Sequence, residues 1–129
     1  MNLTKDIKAI LRGAEPVIYR STCPESPDIL VVLYEYSGQP PNDMDTEFCV
    51  LSLQAVTRDI DFDAGLARAQ RVAAILNGIG GRNSPNGVEV DKTLYLKISA
   101  LQHPYKQKED DAGRIYFAQN FRVWARSTE

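Results

Sequence analysis

Histidine occurs once in this 129-residue sequence, at position 103, and cysteine twice, at positions 23 and 49. The two cysteines lie far apart with no C-x-x-C pair, so neither a zinc site nor a disulfide framework is signalled. Cys49 falls in an apolar run, where a buried thiol is the ordinary reading. His103 stands between Gln102 and Pro104, and no serine or cysteine in a nucleophile-elbow context accompanies it. Such a histidine reads as a surface or interface residue. Long apolar runs are missing too: the opening MNLTKDIKAILRG has none long enough for a signal h-region, and nothing later approaches a membrane span. The chain is therefore expected to be intracellular, with no membrane partner. Neither sign of charge dominates, since 15 Lys and Arg are interleaved with 17 Asp and Glu for a formal net charge of -2. That balance argues against phosphate-driven binding as the main task, although DNA can pass nearby without being gripped. Internal repeats and low-complexity runs are absent.

What is present suits one folded domain over residues 1–129, with apolar residues at 43% and charged ones at 25%, close to the globular average. Thr4 to about Arg12 reads as a short helix capped by Thr4, with Ile7, Ile10 and Leu11 as its stripe and Gly13 as its stop. RSTCPESPD, residues 20–28, reads as an irregular loop. ILVVLYEY, residues 29–36, suits a strand buried on both faces. SGQPPNDMDTE follows as a long connection, its tandem prolines removing amide donors. FCVLSLQAVT, residues 48–57, places Cys49, Leu51, Leu53 and Ala55 on one face and Ser52 and Gln54 on the other. Asp61 opens a helix to residue 79 whose apolar positions include Phe62, Leu66, Ala69, Ala73 and Leu76, with Arg68 and Arg71 on the polar side. TLYLKISAL, residues 93–101, alternates with Leu94, Leu96, Ile98 and Ala100 inward and Tyr95, Lys97 and Ser99 outward. RIYFAQNFRVWAR, residues 114–126, sets Ile115, Phe117, Phe121 and Val123 against Tyr116, Asn120, Arg122, Trp124 and Arg126. HPYKQKEDDAG joins these last two strands. The expected fold class is α+β: a mainly antiparallel four-stranded sheet in the order α-β-β-α-β-β, with a long helix across one face and a short N-terminal helix.

Three segments imitate chemical motifs. DIDFDAG, residues 59–65, has aspartates at alternate positions, but Ala64 and Gln70 occupy the places where a calcium loop needs glycine and a bidentate glutamate. The aspartates read as the start of a helix. GIGG, residues 78–81, follows a helix, whereas a phosphate cradle must precede one. Glu35, between two tyrosines, is the best isolated acid, and no convergent second group accompanies it. No catalytic, cofactor or metal residues are assigned. Tyr95, Tyr116, Arg122 and Trp124 interleave aromatic and cationic side chains on the face opposite the aliphatic set, which suits a protein interface or a second layer under the N-terminal helix.

LYEYSGQPPN at 33–42, LQAVTRDIDFDAGLARAQRVAAILNG at 53–78 and ALQHPYKQKEDDAGRIYFAQNFRVW at 100–124 resemble, in order and spacing, phage minor capsid proteins of the tail terminator (tail completion) type. Tyr36, Gly38 and Pro41 match the family's first turn, Arg58 the end of its second strand, and Pro104, Gly113, Arg114, Asn120 and Phe121 its final hairpin. The resemblance implies a non-enzymatic virion protein of the tail or neck, assembled in the host cytoplasm without cofactors. It implies a closed ring, typically hexameric, that caps the tail tube, meets the tube protein and a head-completion or neck protein, and lets DNA through without specific binding.

The surfaces expected to meet subunits or partners are the first hairpin tip with Tyr36, Gly38, Pro40 and Pro41, the strand-end Arg58, and the second tip with Lys108, Asp110, Asp111 and Arg114. The sheet-face residues Tyr95, Tyr116, Arg122 and Trp124 complete them. Competing expectations are another neck or tube ring protein, a small enzyme using Glu35 or the Asp59, Asp61 and Asp63 group, and a nucleic-acid binder stacking bases on Tyr95, Tyr116 and Trp124.

Overall fold

In the computed structural model, which describes residues 1–15, 17–36 and 49–129, the first helix opens on Asn2 rather than Thr4. The Asn2 side chain accepts the Lys5 amide and caps α1, Leu3–Leu11, leaving Thr4 buried in the first turn. Arg20 lashes this end down, donating to Thr4 Oγ1 and Asn2 Oδ1, each at 3.1 Å. Three strands follow: β1, Ile18–Arg20; β2, Leu30–Tyr36; and β3, Cys49–Asp59. Asp61 then caps α2, Phe62–Asn77, by accepting the Ala64 amide at 2.8 Å, and Asp59 accepts the Asp61 amide at 3.0 Å. The aspartate run is thus a helix start. After α2 come β4, Val88–Val90; β5, Thr93–Ala100; β6, Tyr105–Glu109; and β7, Ile115–Ser127.

The expected α+β fold, with four antiparallel strands in the order α-β-β-α-β-β, is overturned. The described residues are mostly β: a curled, mixed sheet of seven strands in the order β1-β2-β3-β7-β5-β4, with β6 also paired to β7 and with two short helices. β1 makes the sheet mixed by running parallel to β2. The strands missed in the sequence are the short ones. β1 and β4 have 3 residues each, too few to display a period of two, and β6, YKQKE, is exposed at every position and carries no alternation. β6 owes its extended form to pairing along the first part of β7, not to its own pattern.

β7 organises the sheet. One edge pairs with β3 from Cys49 opposite Ala125 to Asp59 opposite Ile115. The other edge is shared, with β5 along residues 121–127 and β6 along 115–118. Between them the chain steps outward, and the step is tied to β7 by Leu101 N donating to Asn120 O at 2.9 Å and by Gln119 donating to Gln102 O.

Both helices pack on one face, called inner here, where Leu3, Ile7, Leu11, Val31, Leu33, Leu53, Leu76, Ile98, Phe121 and Val123 are buried together. Ala69 of α2 and Phe117 beneath it are buried as the periodicity predicts, whereas Leu51, Leu66, Ala73 and Leu96 are only half-buried. Gly65 lets α2 approach closely: a Cβ there would lie 2.7 Å from the Phe117 ring and 2.9 Å from Asp59 Cβ. Arg68 is not simply on a solvated face, because it reaches the buried Glu15 at 2.6 Å.

A bulge between Tyr95 and Lys97 corrects the predicted facing of β5. Leu96 is the extra residue, so alternation changes phase there. Tyr95 consequently points inward and is fully buried, and Lys97 points outward. The turn after α2 presses on the bulge. Ile98 N donates to Ile79 O at 3.2 Å, and Gly80, at φ 76°, leaves room for the β5 backbone where a Cβ would come within 2.3 Å of Leu96 O.

Candidate interaction surfaces

Among the described residues, the sheet's outer face carries no helix, and its two ends differ. At one end the segment between β1 and β2 crosses the sheet, and Arg58 holds it there. Arg58 stands on the outer face of β3, opposite Tyr116 in β7 and Leu30 in β2, and is 1% exposed. Its Nε donates to Asp28 O at 3.0 Å, one terminal nitrogen to Pro24 O at 2.9 Å, and the other to Glu25 O at 3.2 Å and to Pro27 O. The guanidinium also lies 5.8 Å from the centre of the Tyr116 ring and 3.4 Å from Cys23 Sγ. The chemistry explains the partnership: Pro24 and Pro27 have carbonyls to satisfy but no amides to offer, and guanidinium is a fork of donors with no acceptor.

Arg114 repeats the arrangement beside the β6–β7 turn. Its Nε donates to Asp110 Oδ2 at 2.7 Å, and its terminal nitrogens donate to Glu25 O and, at 2.9 Å, to Glu25 Oε1. Asp110 also accepts the Tyr116 hydroxyl at 2.9 Å and the amides of Ala112 and Arg114 at 3.0 Å each. Burial alone would raise the Asp110 carboxyl. The hydrogen bonds from the Arg114 amide, the Tyr116 hydroxyl, the Arg114 guanidinium and the Ala112 amide outweigh it and hold the group at about 2. The bond to Asp110 in turn raises Arg114 above the usual guanidinium range. A polar cleft of about 370 Å³ remains beside this end, lined by Cys23, Tyr34, Gln54, Arg58, Lys108 and Tyr116. Burial, then the neighbouring Cys23 and Tyr116, push the Tyr34 hydroxyl above its ordinary value.

The other end of the outer face is open. Arg122 and Lys97 are exposed, Trp124 is half-buried, and the Lys97 ammonium lies 5.9 Å from the centre of the Trp124 ring. Tyr36, 41% exposed, ends β2 nearby, opposite Ser52.

The residues expected at interfaces therefore separate into groups. Tyr36, Arg122 and Trp124 share the open end, while Arg58, Lys108, Asp110, Arg114 and Tyr116 gather at the covered end. Lys108 sits 4.6 Å from the centre of the Tyr116 ring, and Asp111 is exposed in the adjoining turn. Gly38, Pro40 and Pro41 lie outside the described residues. Tyr95 belongs to neither end: it faces the inner side, where its hydroxyl donates to the buried Asp6 of α1, and burial first and that bond second push it well above the ordinary tyrosine range.

This corrects the stacking platform drawn from the sequence. Tyr95 is on the opposite face and Tyr116 lies beneath Arg58 and Lys108, so of the three rings Trp124 alone stands at the open end. Glu35 is exposed at the end of β2 on the Tyr95 side. His103 is exposed at a shallow groove of about 450 Å³ between α2 and the β5–β6 step, with Gln70, Ala73, Asn77 and Leu101. Among the described residues, no three His, Cys, Asp or Glu side chains are grouped to hold a metal ion, and no helix is long and apolar enough to cross a membrane.

Sequence reasoning missed Glu25, Asp28 and Cys23 as partners of the two arginines. The signal was a segment with prolines at 24 and 27, rich in carbonyls poor in neighbouring amides, which must find donors elsewhere.

No family model matches the chain, and no curated protein matches it in sequence. A chain from the virion of a native gene transfer agent particle has the same fold, with a TM-score of 0.64 over 94% of this chain and 84% of that chain, at 15% identity.

Proposed function

We propose that the chain is a structural component of a phage-like virion and, within that class, a tail terminator: a ring that caps the tail tube, ends its polymerisation and presents a surface to the head-side neck proteins. The observation that supports the virion class is the fold shared with a virion chain over 94% of this chain and 84% of that chain. The three segments that resemble terminators in order, at 33–42, 53–78 and 100–124, narrow it.

The architecture suits assembly by unlike surfaces. A sheet closed on its inner face by two helices can turn its outer face to a neighbour, and a contact between two different patches closes into a ring when its rotation allows. The exposed large apolar side chains include Ile60 and Phe62 at the start of α2 and Leu101 after β5. A protein that must cap a tube without capping prematurely gains from associating weakly when dilute. In this reading the work is binding and shape, with no reaction, and DNA passes without a specific site.

The test is complementation of a terminator-deficient phage. The wild-type chain should restore uniform tail length and infectious particles. Normal tail length in a phage lacking this chain, with heads that fail to join tails, would replace the terminator with a head-completion protein.

A further inference from the structure

The open end of the outer face carries two exposed cations with aromatic side chains at hand, and the exposed Glu89 lies on the edge strand β4 of the same face. Lys97 and Arg122 are exposed on neighbouring strands, Lys97 opposite Trp124 and Arg122 opposite Ser99. Among the described residues, the ion pairs formed elsewhere include neither cation. Between β2 and β3 the sequence reads SGQPPNDMDTEF, residues 37–48, with Asp43, Asp45 and Glu47 and no lysine or arginine. Pro40 and Pro41 remove two of this segment's amide donors, which disfavours pairing through its backbone there and leaves its acidic side chains as the groups it can offer.

We infer that the open outer face receives residues 37–48 of a second copy of the chain, the acids meeting Lys97 and Arg122 and the apolar side chains meeting Trp124. This contact rests on the ring reading and deepens it. A ring needs two unlike patches on each copy, and here the two patches carry opposite charge. Exposed ion pairs are individually weak. Their use is to set orientation and reject a wrong register, while the half-buried Trp124 supplies contact area.

Charge reversal tests the contact and separates it from one made within a single copy. The face variant carries Lys97→Glu and Arg122→Glu, and the segment variant carries Asp43→Lys, Asp45→Lys and Glu47→Lys. Each alone should keep the wild-type circular dichroism and thermal midpoint, and should weaken self-association by about tenfold or more in sedimentation. An equimolar mixture should recover association, because alternating copies place every segment on a face of opposite charge. Wild-type association should weaken as salt rises. Recovery in a chain carrying all five changes but none in the mixture would assign the contact to one copy and overturn the proposal. Rings that survive both reversals unchanged would also overturn it, leaving the terminator reading intact. A wild-type chain that remains monomeric at every concentration and in the presence of tube ends would remove both. Should either variant unfold, Arg122→Gln and Asp45→Asn provide milder pairs, and an association constant unchanged by both counts against the contact.

Discussion

From Ile115 to Gln119, β7 is buried at every residue, whereas from Asn120 to Ser127 buried and open positions alternate. In sequence the first half, IYFAQ, is nearly continuously apolar up to Gln119, whereas the second, NFRVWARS, alternates apolar positions with polar ones or Trp124. The difference in burial comes from what lies on top. The first half has Ala69 and Leu66 of α2 on its inner side, and on its outer side Tyr116 and Ala118 pack with Val56, Cys23 and Tyr34 beneath the loop that Arg58 holds. Among the described residues, the second half has helices on one side only. One strand therefore serves as a two-sided core at one end and as a presenting surface at the other, and interface-type residues at the covered end are already engaged by their own chain.

The strongest way to break the contrast is to remove the clamp. Arg58→Ala leaves the carbonyls of Pro24, Glu25, Pro27 and Asp28 without their donor and should cost on the order of 3–5 kcal/mol in urea denaturation. Arg58→Lys should recover little of this, since an ammonium cannot reproduce the planar fork. A near-neutral Arg58→Ala would mean that the loop holds itself.

Gly65→Ala tests the inner cover of the same half. Alanine favours a helix by about 1 kcal/mol over glycine, but overpacking costs about 1–3 kcal/mol. The added Cβ would meet both the Phe117 ring and Asp59 Cβ, the latter with little freedom to move, so a net loss of stability is expected. A gain in thermal midpoint would show that α2 can shift away at no cost.

Acid should loosen the covered end by a smaller amount. Asp110 titrates at about 2 in the folded chain against an ordinary 3.8, so its contribution is complete above about pH 4 and fades as pH falls through about 2. Unfolding measured across that window should show stability falling with pH. The Asp110→Asn variant should show a shallower fall, and identical slopes would deny the carboxylate this role.

The smallest effect belongs to the open half. Arg122→Ala should change stability by no more than about 0.5 kcal/mol. A larger loss would show that this half is also engaged within the chain, erasing the contrast with Arg58.

Much of the fold was legible where one element's own pattern suffices. α2 showed its stripe and its aspartate cap, and the long strands β2, β3 and β7 showed theirs. The unread parts depend on neighbours. β6 is polar throughout and becomes a strand because β7 offers it an edge. Tyr95 turned inward because the Leu96 bulge reversed the alternation, and that bulge lies where Gly80 meets the β5 backbone. Of the candidate surface, Arg122 and Trp124 could be placed from alternation alone, while Tyr116 was placed on the correct face without the loop that covers it.

The amino-acid order by itself determined where the described residues are helical, which long segments are strands and, in β2, β3 and β7 though not in the bulged β5, which side chains a strand turns the same way, because those depend on periodicity over a few residues. Whether a strand face ends as core or as surface was decided only by tertiary structure. Arg58 illustrates the reason: its donors are matched by carbonyls some thirty positions earlier in the chain, and only folding brings such distant groups within hydrogen-bond reach.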